Sequence, residues 1–250
     1  MSRVLCLLSL LLVGLPALAL DEVDPLHSPM WEFHRQRLLG AAPVRFDERV
    51  RVQAPPFAED SRQVPIEIDA RALERPVQRM LAWAELNPIP HIFTLHAESE
   101  RLLPFLAVRI RIEQATLIRA AVQTEDGVWH VGSTHVEAAG GGCTAPSVVR
   151  AQPGWEQRLG QVLGGRYPQG DFDRLRLSVS HPMDNGLVGG IPEFYLESAE
   201  LRDPEGHRLA LLELFPAVSE NPTLGFELRG GGKAELLLRD NNGNEFEAEL

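Results

Sequence analysis

Of the side chains able to act as nucleophiles, the one whose surroundings are most unusual is Cys143, set in the run Gly140-Gly141-Gly142-Cys143-Thr144-Ala145-Pro146. A cysteine reacts as its thiolate, and that form is scarce at neutral pH unless a nearby cation lowers a pKa of about 8.5. Within seven residues on either side the only cation is Arg150, at the edge of that range. Activation is therefore not written into the local chain, which suits a thiol that holds a group more than one that catalyses. A lone cysteine can equally be a small buried core residue. Its neighbours here include no large apolar side chain, and three glycines free the backbone, so the segment is expected to be exposed and mobile.

The first twenty residues strengthen the interest in this thiol. Arg3, the apolar stretch from Val4 to Leu15 and the small residues Ala17-Leu18-Ala19 before Asp21-Glu22 have the order of an export signal. Residues 1–19 are expected to leave, taking Cys6, and the apolar stretch is too short for a stable membrane span. The exported chain would keep a single cysteine in an oxidising compartment, where no internal disulfide can form.

Other chemistry finds less support. His91 and His96, and His130 and His135, are each five residues apart, a spacing that puts the two side chains on opposite faces of a strand. His181-Pro182-Met183 together with Cys143 contains ligands copper favours, but the span between them is long, and a structural turn at a module junction is the expected role. No metal site is expected. Asn87-Pro88 and Asn221-Pro222 read as turn initiators. No Ser-His-Asp order, phosphate loop or carboxylate pair stands out, so no autonomous catalysis is expected. With 24 basic residues, all but Lys233 arginine, against 35 acidic ones and a net charge of −11, nucleic-acid binding through the phosphate backbone is disfavoured.

The elements that must position Cys143 are strands. The chain has 250 residues, 44% hydrophobic and 24% charged, ordinary for a folded globular protein. Ser28 is placed to cap a short helix through Trp31 and Leu38 that stops at Gly40. Period-two alternation then marks Val64 to Asp69 and Phe105 to Ile112, the latter with Arg109 and Arg111 on one face. Leu117 to Thr124 and Val128 to Val136 flank the turn Glu125-Asp126-Gly127 and lead to the glycines. Residues 144–172, rich in proline and glycine, read as a linker with a helical turn or two at Trp155 to Leu163. Leu175 to Val179, Leu196 to Leu201, Leu209 to Phe215, Ala234 to Leu238 and Glu245 to Leu250 make a second strand-rich block, broken by polar turns at Asp203-Pro204-Glu205-Gly206 and Asp240-Asn241-Asn242-Gly243. The expected architecture is all-β: an N-terminal segment (20–44) with a short helix, then two sandwich domains, 45–143 and 173–250, joined by the linker.

Two blocks carry a resemblance. Val64-Pro65-Ile66, Asn87-Pro88-Ile89-Pro90 and the strand ending in Gly141-Gly142-Cys143 resemble SoxY, the sulfur-carrying subunit of a periplasmic thiosulfate-oxidising system. His181-Pro182-Met183-Asp184-Asn185-Gly186, Pro216-Ala217-Val218-Ser219-Glu220-Asn221-Pro222 and Gly230-Gly231-Gly232-Lys233 resemble its partner SoxZ. The whole is similar to a fused SoxYZ-like carrier of the variety associated with quinoprotein dehydrogenases. The resemblance implies an immunoglobulin-like sandwich in each half and a covalent intermediate, expected to be a sulfur species, on Cys143, presented by a flexible arm of Gly140, Gly141 and Gly142. It implies no cofactor beyond that adduct, no enzymatic activity of its own, a periplasmic location, and redox enzymes as partners, a quinoprotein dehydrogenase or a cytochrome. In SoxY the cysteine lies on a C-terminal tail; here 107 residues follow it, so the arm is a tethered loop of shorter reach. Two other readings of the same residues are a non-covalent adaptor for a periplasmic dehydrogenase, and a thiol redox relay through sulfenic acid or a mixed disulfide.

Overall fold

The computed structural model describes residues 22–250; the expected export signal lies outside the described residues. The strands are β1 (Val44–Phe46), β2 (Arg51–Gln53), β3 (Phe57–Ala58), β4 (Val64–Asp69), β5 (Val77–Ala84), β6 (His91–Ala97), β7 (Leu102–Ile110), β8 (Thr116–Thr124) and β9 (Trp129–Ala138) in the first half. The second half contributes β10 (Val162–Gln169), β11 (Phe172–Val179), β12 (Leu196–Arg202), β13 (Arg208–Leu214), β14 (Thr223–Arg229), β15 (Glu235–Asp240) and β16 (Glu245–Glu249). They form two sheets. The larger runs β1-β9-β8-β5-β6-β13-β12-β15-β16, with β3 beside β9; the smaller runs β10-β11-β14-β7-β4-β2.

Each half is thus a two-sheet sandwich, as expected, and the two are fused edge to edge in both sheets. In the large sheet β6 pairs with β13, Leu95 opposite Leu212. In the small sheet β7 pairs with β14, Leu106 opposite Phe226. An open edge strand presents unpaired backbone groups that invite another chain, and here the edge of each half is closed by the other. One hydrophobic core runs through both halves, from Val50 and Ile66 to Leu236 and Leu238.

Alternation explains the clearest strands. In β4 the pattern puts Val64, Ile66 and Ile68 inward, and in β11 Leu175, Leu177 and Val179 do the same. The stretch expected to be linker differs: its second part is strand β10, an edge strand pairing with β11 along its whole length. Gly164, Gly165 and Pro168 hide it from pattern reading, and an edge position tolerates them because one side of the strand makes no ladder bonds. The expected helix is also shorter, Trp31–His34, continued by a wider turn over Arg35–Leu39 that Gly40 (φ 68°) ends. It packs Trp31 and Leu39 on Trp83 and Trp129 over the outer face of the large sheet. Arg119, fully buried beneath it, is held by Asp24 (2.7 Å) and Glu85 (2.6 Å).

Candidate functional site at Cys143

Strand β9 leaves the sheet after Ala138, and Gly140 (φ 101°) and Gly141 (φ 78°) turn the chain across the end of the sandwich in left-handed conformations that glycine adopts without strain. The Gly141 amide donates to the Glu113 carbonyl (3.2 Å) and the Gly142 amide to the Ile112 carbonyl (3.1 Å). A Cβ on Gly142 would lie 2.1 Å from the Ser61 carbonyl oxygen and 2.5 Å from that of Ile112. Glycine is needed there because the arm lies flush on backbone. The expectation of an exposed, mobile arm is therefore corrected: Cys143 is 1% exposed, although its neighbours Gly141 and Thr144 are exposed.

Carboxylates and amides hold the segment on both sides of the thiol. Glu113 Oε2 accepts from the amides of Cys143 (3.0 Å) and Thr144 (3.2 Å). Asn185 Nδ2 donates to the Cys143 carbonyl (2.6 Å). Further on, Glu220 Oε2 accepts from Ser147 Oγ (2.7 Å) and the Val148 amide (2.8 Å). Arg150 pairs with Asp184 and lies over the Trp155 ring, 4.8 Å from its centroid. The ledge under the arm is itself fixed by Asn87, which donates to the Arg111 carbonyl (2.7 Å) and accepts from the Glu113 amide (3.0 Å).

Arg111 is the cation that local sequence does not supply. Strand β7 ends at Ile110, so the alternation that would put Arg111 on the solvent face beside Arg109 stops one residue too early. Arg111 instead turns inward, is 3% exposed, and donates to the Pro182 carbonyl (3.2 Å). The thiol still does not ionise readily. Burial pushes the Cys143 pKa up to about 12, the Glu113 charge adds to the rise, and Arg111 opposes both. In this seated position the cysteine is a neutral thiol, closed to reagents and chemically quiet.

Three of the motifs singled out in the sequence meet at this seat. The first supplies Asn87. The second supplies the Pro182 carbonyl and Asn185, while its His181 Nδ1 accepts from the Met183 amide (3.1 Å) and its buried Met183 sulfur accepts from the Leu196 amide. The third supplies Glu220, as well as Ala217, whose carbonyl accepts from the Arg111 amide, and Asn221, whose Oδ1 accepts from the His181 amide (3.1 Å). The roles of Asn87, Glu113, Asn185, Glu220 and Arg111 were not read from the sequence. For Asn87, Asn185 and Glu220 a signal existed, since each sits inside a motif already picked out. For Glu113 and Arg111 none did.

The histidines are dispersed. His91 stacks on Phe215 at 3.9 Å and His130 Nδ1 meets Asp47 at 2.8 Å. His181, fully buried, has Asp240 at 3.7 Å, near enough for charge attraction but too far for a hydrogen bond, and burial lowers its pKa to about 4. Among the described residues no group of three or more His, Cys, Asp or Glu side chains is gathered as metal ligands would be.

Comparison with known families agrees with this geometry. Residues 35–143 match the family described as sulfur oxidation protein SoxY, and residues 165–250 match sulphur oxidation protein SoxZ. The chain is a fused SoxYZ-like protein, a SoxY-family segment followed by a SoxZ-family segment. Similar solved structures include the sulfur carrier protein SoxY from Chlorobium limicola f thiosulfatophilum, with 16% identity over 43% of this chain and 90% of that one, at a TM-score of 0.39. Another is a superoxide reductase (neelaredoxin) from Ignicoccus hospitalis, with 9% identity over 35% and 77% of the two chains and a TM-score of 0.32. No curated protein sequence matches the chain.

Proposed function

We propose that this protein is a carrier in sulfur oxidation that holds a covalent sulfur intermediate on Cys143 and presents it to partner enzymes. The observation that carries the reading is the convergence of motifs from both family segments on one loop, the loop that bears the free cysteine. A buried thiol that served only packing would not need Glu113 and Asn185 on its own backbone and Glu220 on the residues that follow it. The seat works as a closed state: hydrogen bonds to half-buried carboxylates can be exchanged for water, so the arm can leave its place when a partner docks. Loading and unloading are then the partner's chemistry, and the carrier is not itself an enzyme. The order of charged, apolar and small residues at the N-terminus supports export to the periplasm. The Gly-Gly-Gly-Cys-Thr-Ala-Pro arm supports a redox partner there, such as a quinoprotein dehydrogenase or a cytochrome. The burial of the thiol is the observation that favours the non-covalent adaptor instead.

A Cys143→Ser substitution in the organism that makes the protein separates the two. The carrier reading expects sulfur oxidation to be lost while the protein remains folded and abundant, with Lys233→Ala as the matched control that keeps activity. Undiminished oxidation by the Cys143→Ser strain favours the adaptor.

A further inference from the structure

The outer face of the small sheet crosses the seam between the two halves, and its middle is unusually bare. Arg176 of β11 lies opposite Gly225 of β14, and Gly225 lies opposite Ala107 of β7. The row therefore runs from Arg176 over two positions with no side chain larger than a methyl group to Glu67 of β4, with Arg109 two residues along β7 from Ala107. It floors a trough of about 470 Å³ that Arg109, Arg174, Arg176 and Leu163 also line.

The charges on this face are unevenly matched. Glu227, 0% exposed, is taken up by Arg71 (2.8 Å) and by Arg174, and Asp69 is held by Arg71 (2.8 Å). Arg109 and Arg176 are exposed and form no ion pair among the described residues, and Glu67 is the one carboxylate lining the trough. Arginines elsewhere in this chain, Arg49, Arg62, Arg75, Arg202 and Arg208 among them, sit against carboxylates. In a protein of net charge −11, two free guanidiniums beside a bare trough make a locally cationic site. A planar guanidinium takes a carboxylate through two parallel hydrogen bonds. On the same face, at the free edge of the sheet, Leu163 is 74% exposed and Tyr167 is 50% exposed, and Arg176 lies over the Tyr167 ring at 5.7 Å. Apolar and aromatic groups beside unpaired arginine are enriched in protein interfaces.

We propose that this trough is a docking surface for an acidic segment of a partner protein, its carboxylates meeting Arg109 and Arg176 and an apolar side chain resting on Leu163. Its position gives the contact a use. Arg109 stands two residues before Arg111, and Pro65, at the trough's other wall, follows closely on Ser61, whose carbonyl lies under Gly142. Strands β4 and β7, which line the trough, thus lead directly to the Ser61 and Ile112 carbonyls beneath Gly142. The docking chemistry does not depend on what Cys143 carries.

The test uses the full exported chain and a fluorescein-labelled peptide of alternating glutamate and leucine, followed by fluorescence polarisation. The expected result is saturable binding that weakens as salt rises. The Arg109→Glu/Arg176→Glu variant should lose about tenfold or more in affinity, and Arg37→Glu/Arg45→Glu, which alters exposed arginines outside the trough by the same charge, should leave it within about twofold. Circular dichroism confirms that both variants fold, and Cys143→Ser protein should bind as the parent does. No binding, or an equal loss in the two charge-reversal variants, overturns the proposal.

Discussion

The chain contains the triplet Gly-Gly-Gly twice before a functional-looking residue, at Gly140-Gly141-Gly142 before Cys143 and at Gly230-Gly231-Gly232 before Lys233. Each has two glycines in left-handed conformation, Gly140 and Gly141 in the first, Gly230 (φ 74°) and Gly232 (φ 113°) in the second. The resemblance ends there. Around the second triplet a Cβ would meet nothing within 4 Å at any of the three positions, and the three residues and Lys233 are exposed. Around the first, Gly142 is pressed on two carbonyl oxygens and its amide is bonded. A glycine run marks either a chain with open space around it or a chain held so closely that no side chain fits. What lies across from it decides which.

That difference has a direct consequence for one alanine substitution in each triplet, Gly142→Ala against Gly231→Ala, chosen because neither residue has a left-handed backbone. The first should cost about 2–3 kcal/mol or eject the arm, because the carbonyls of Ser61 and Ile112 cannot yield to a Cβ without moving backbone. The second should change stability by less than about 0.5 kcal/mol. Urea unfolding gives the stabilities, and the labelling rate of the thiol by a disulfide reagent reports the arm: fast for Gly142→Ala, slow as in the parent for Gly231→Ala. Equal behaviour of the two variants would mean that the seat around Cys143 contributes little.

A smaller effect is expected when the seat loses one contact and the arm keeps its shape. Glu113→Ala removes a charged acceptor shared by the Cys143 and Thr144 amides, an interaction of about 1.5–3 kcal/mol. Labelling of Cys143 should quicken by roughly tenfold or more, and by less in Asn185→Ala, where the arm loses one neutral hydrogen bond. Unchanged labelling in both would show that some other element limits access.

The remaining effect is one of pH. Burial holds His181 and His91 at about 4 when folded, below the usual 6.5. Their neutral forms are favoured in the native state, so the full contribution is present above pH 6.5 and is lost as pH falls from 6.5 towards 4. Unfolding free energy should decline over that window, less steeply in His181→Asn. Because His181 belongs to the seat, the decline should be accompanied by weaker protection of the Gly141 and Gly142 amides before any general loss. A stability independent of pH between about 7 and 5 would contradict the burial of a neutral His181.

The contrast between the triplets also shows what could be read from the chain and what could not. Strands such as Val64–Asp69 and Leu175–Val179 declare themselves because one face is buried and the other is not. The two-sandwich architecture followed from them. Strand β10 did not declare itself, since it packs little on either face and is held by backbone bonds to β11. Cys143 was recognised as the residue of interest, but its exposure was misjudged from small neighbours. The groups that hold its segment down are backbone carbonyls against Gly142 and the side chains of Glu113 and Asn185, distant in sequence, and backbone has no sequence signature. Arg111 was placed on the wrong face for a related reason: the strand pattern continues in the letters past the point where the strand ends.

The most direct test of Cys143 as a carrier is mass spectrometry of the protein isolated under native conditions, digested with and without prior reduction and read on the peptide that contains this residue. A reductant-labile adduct is expected on that peptide, with the bare thiol appearing only after reduction. A thiol that is uniformly bare before reduction, in protein drawn from cells actively oxidising sulfur compounds, would contradict the carrier function.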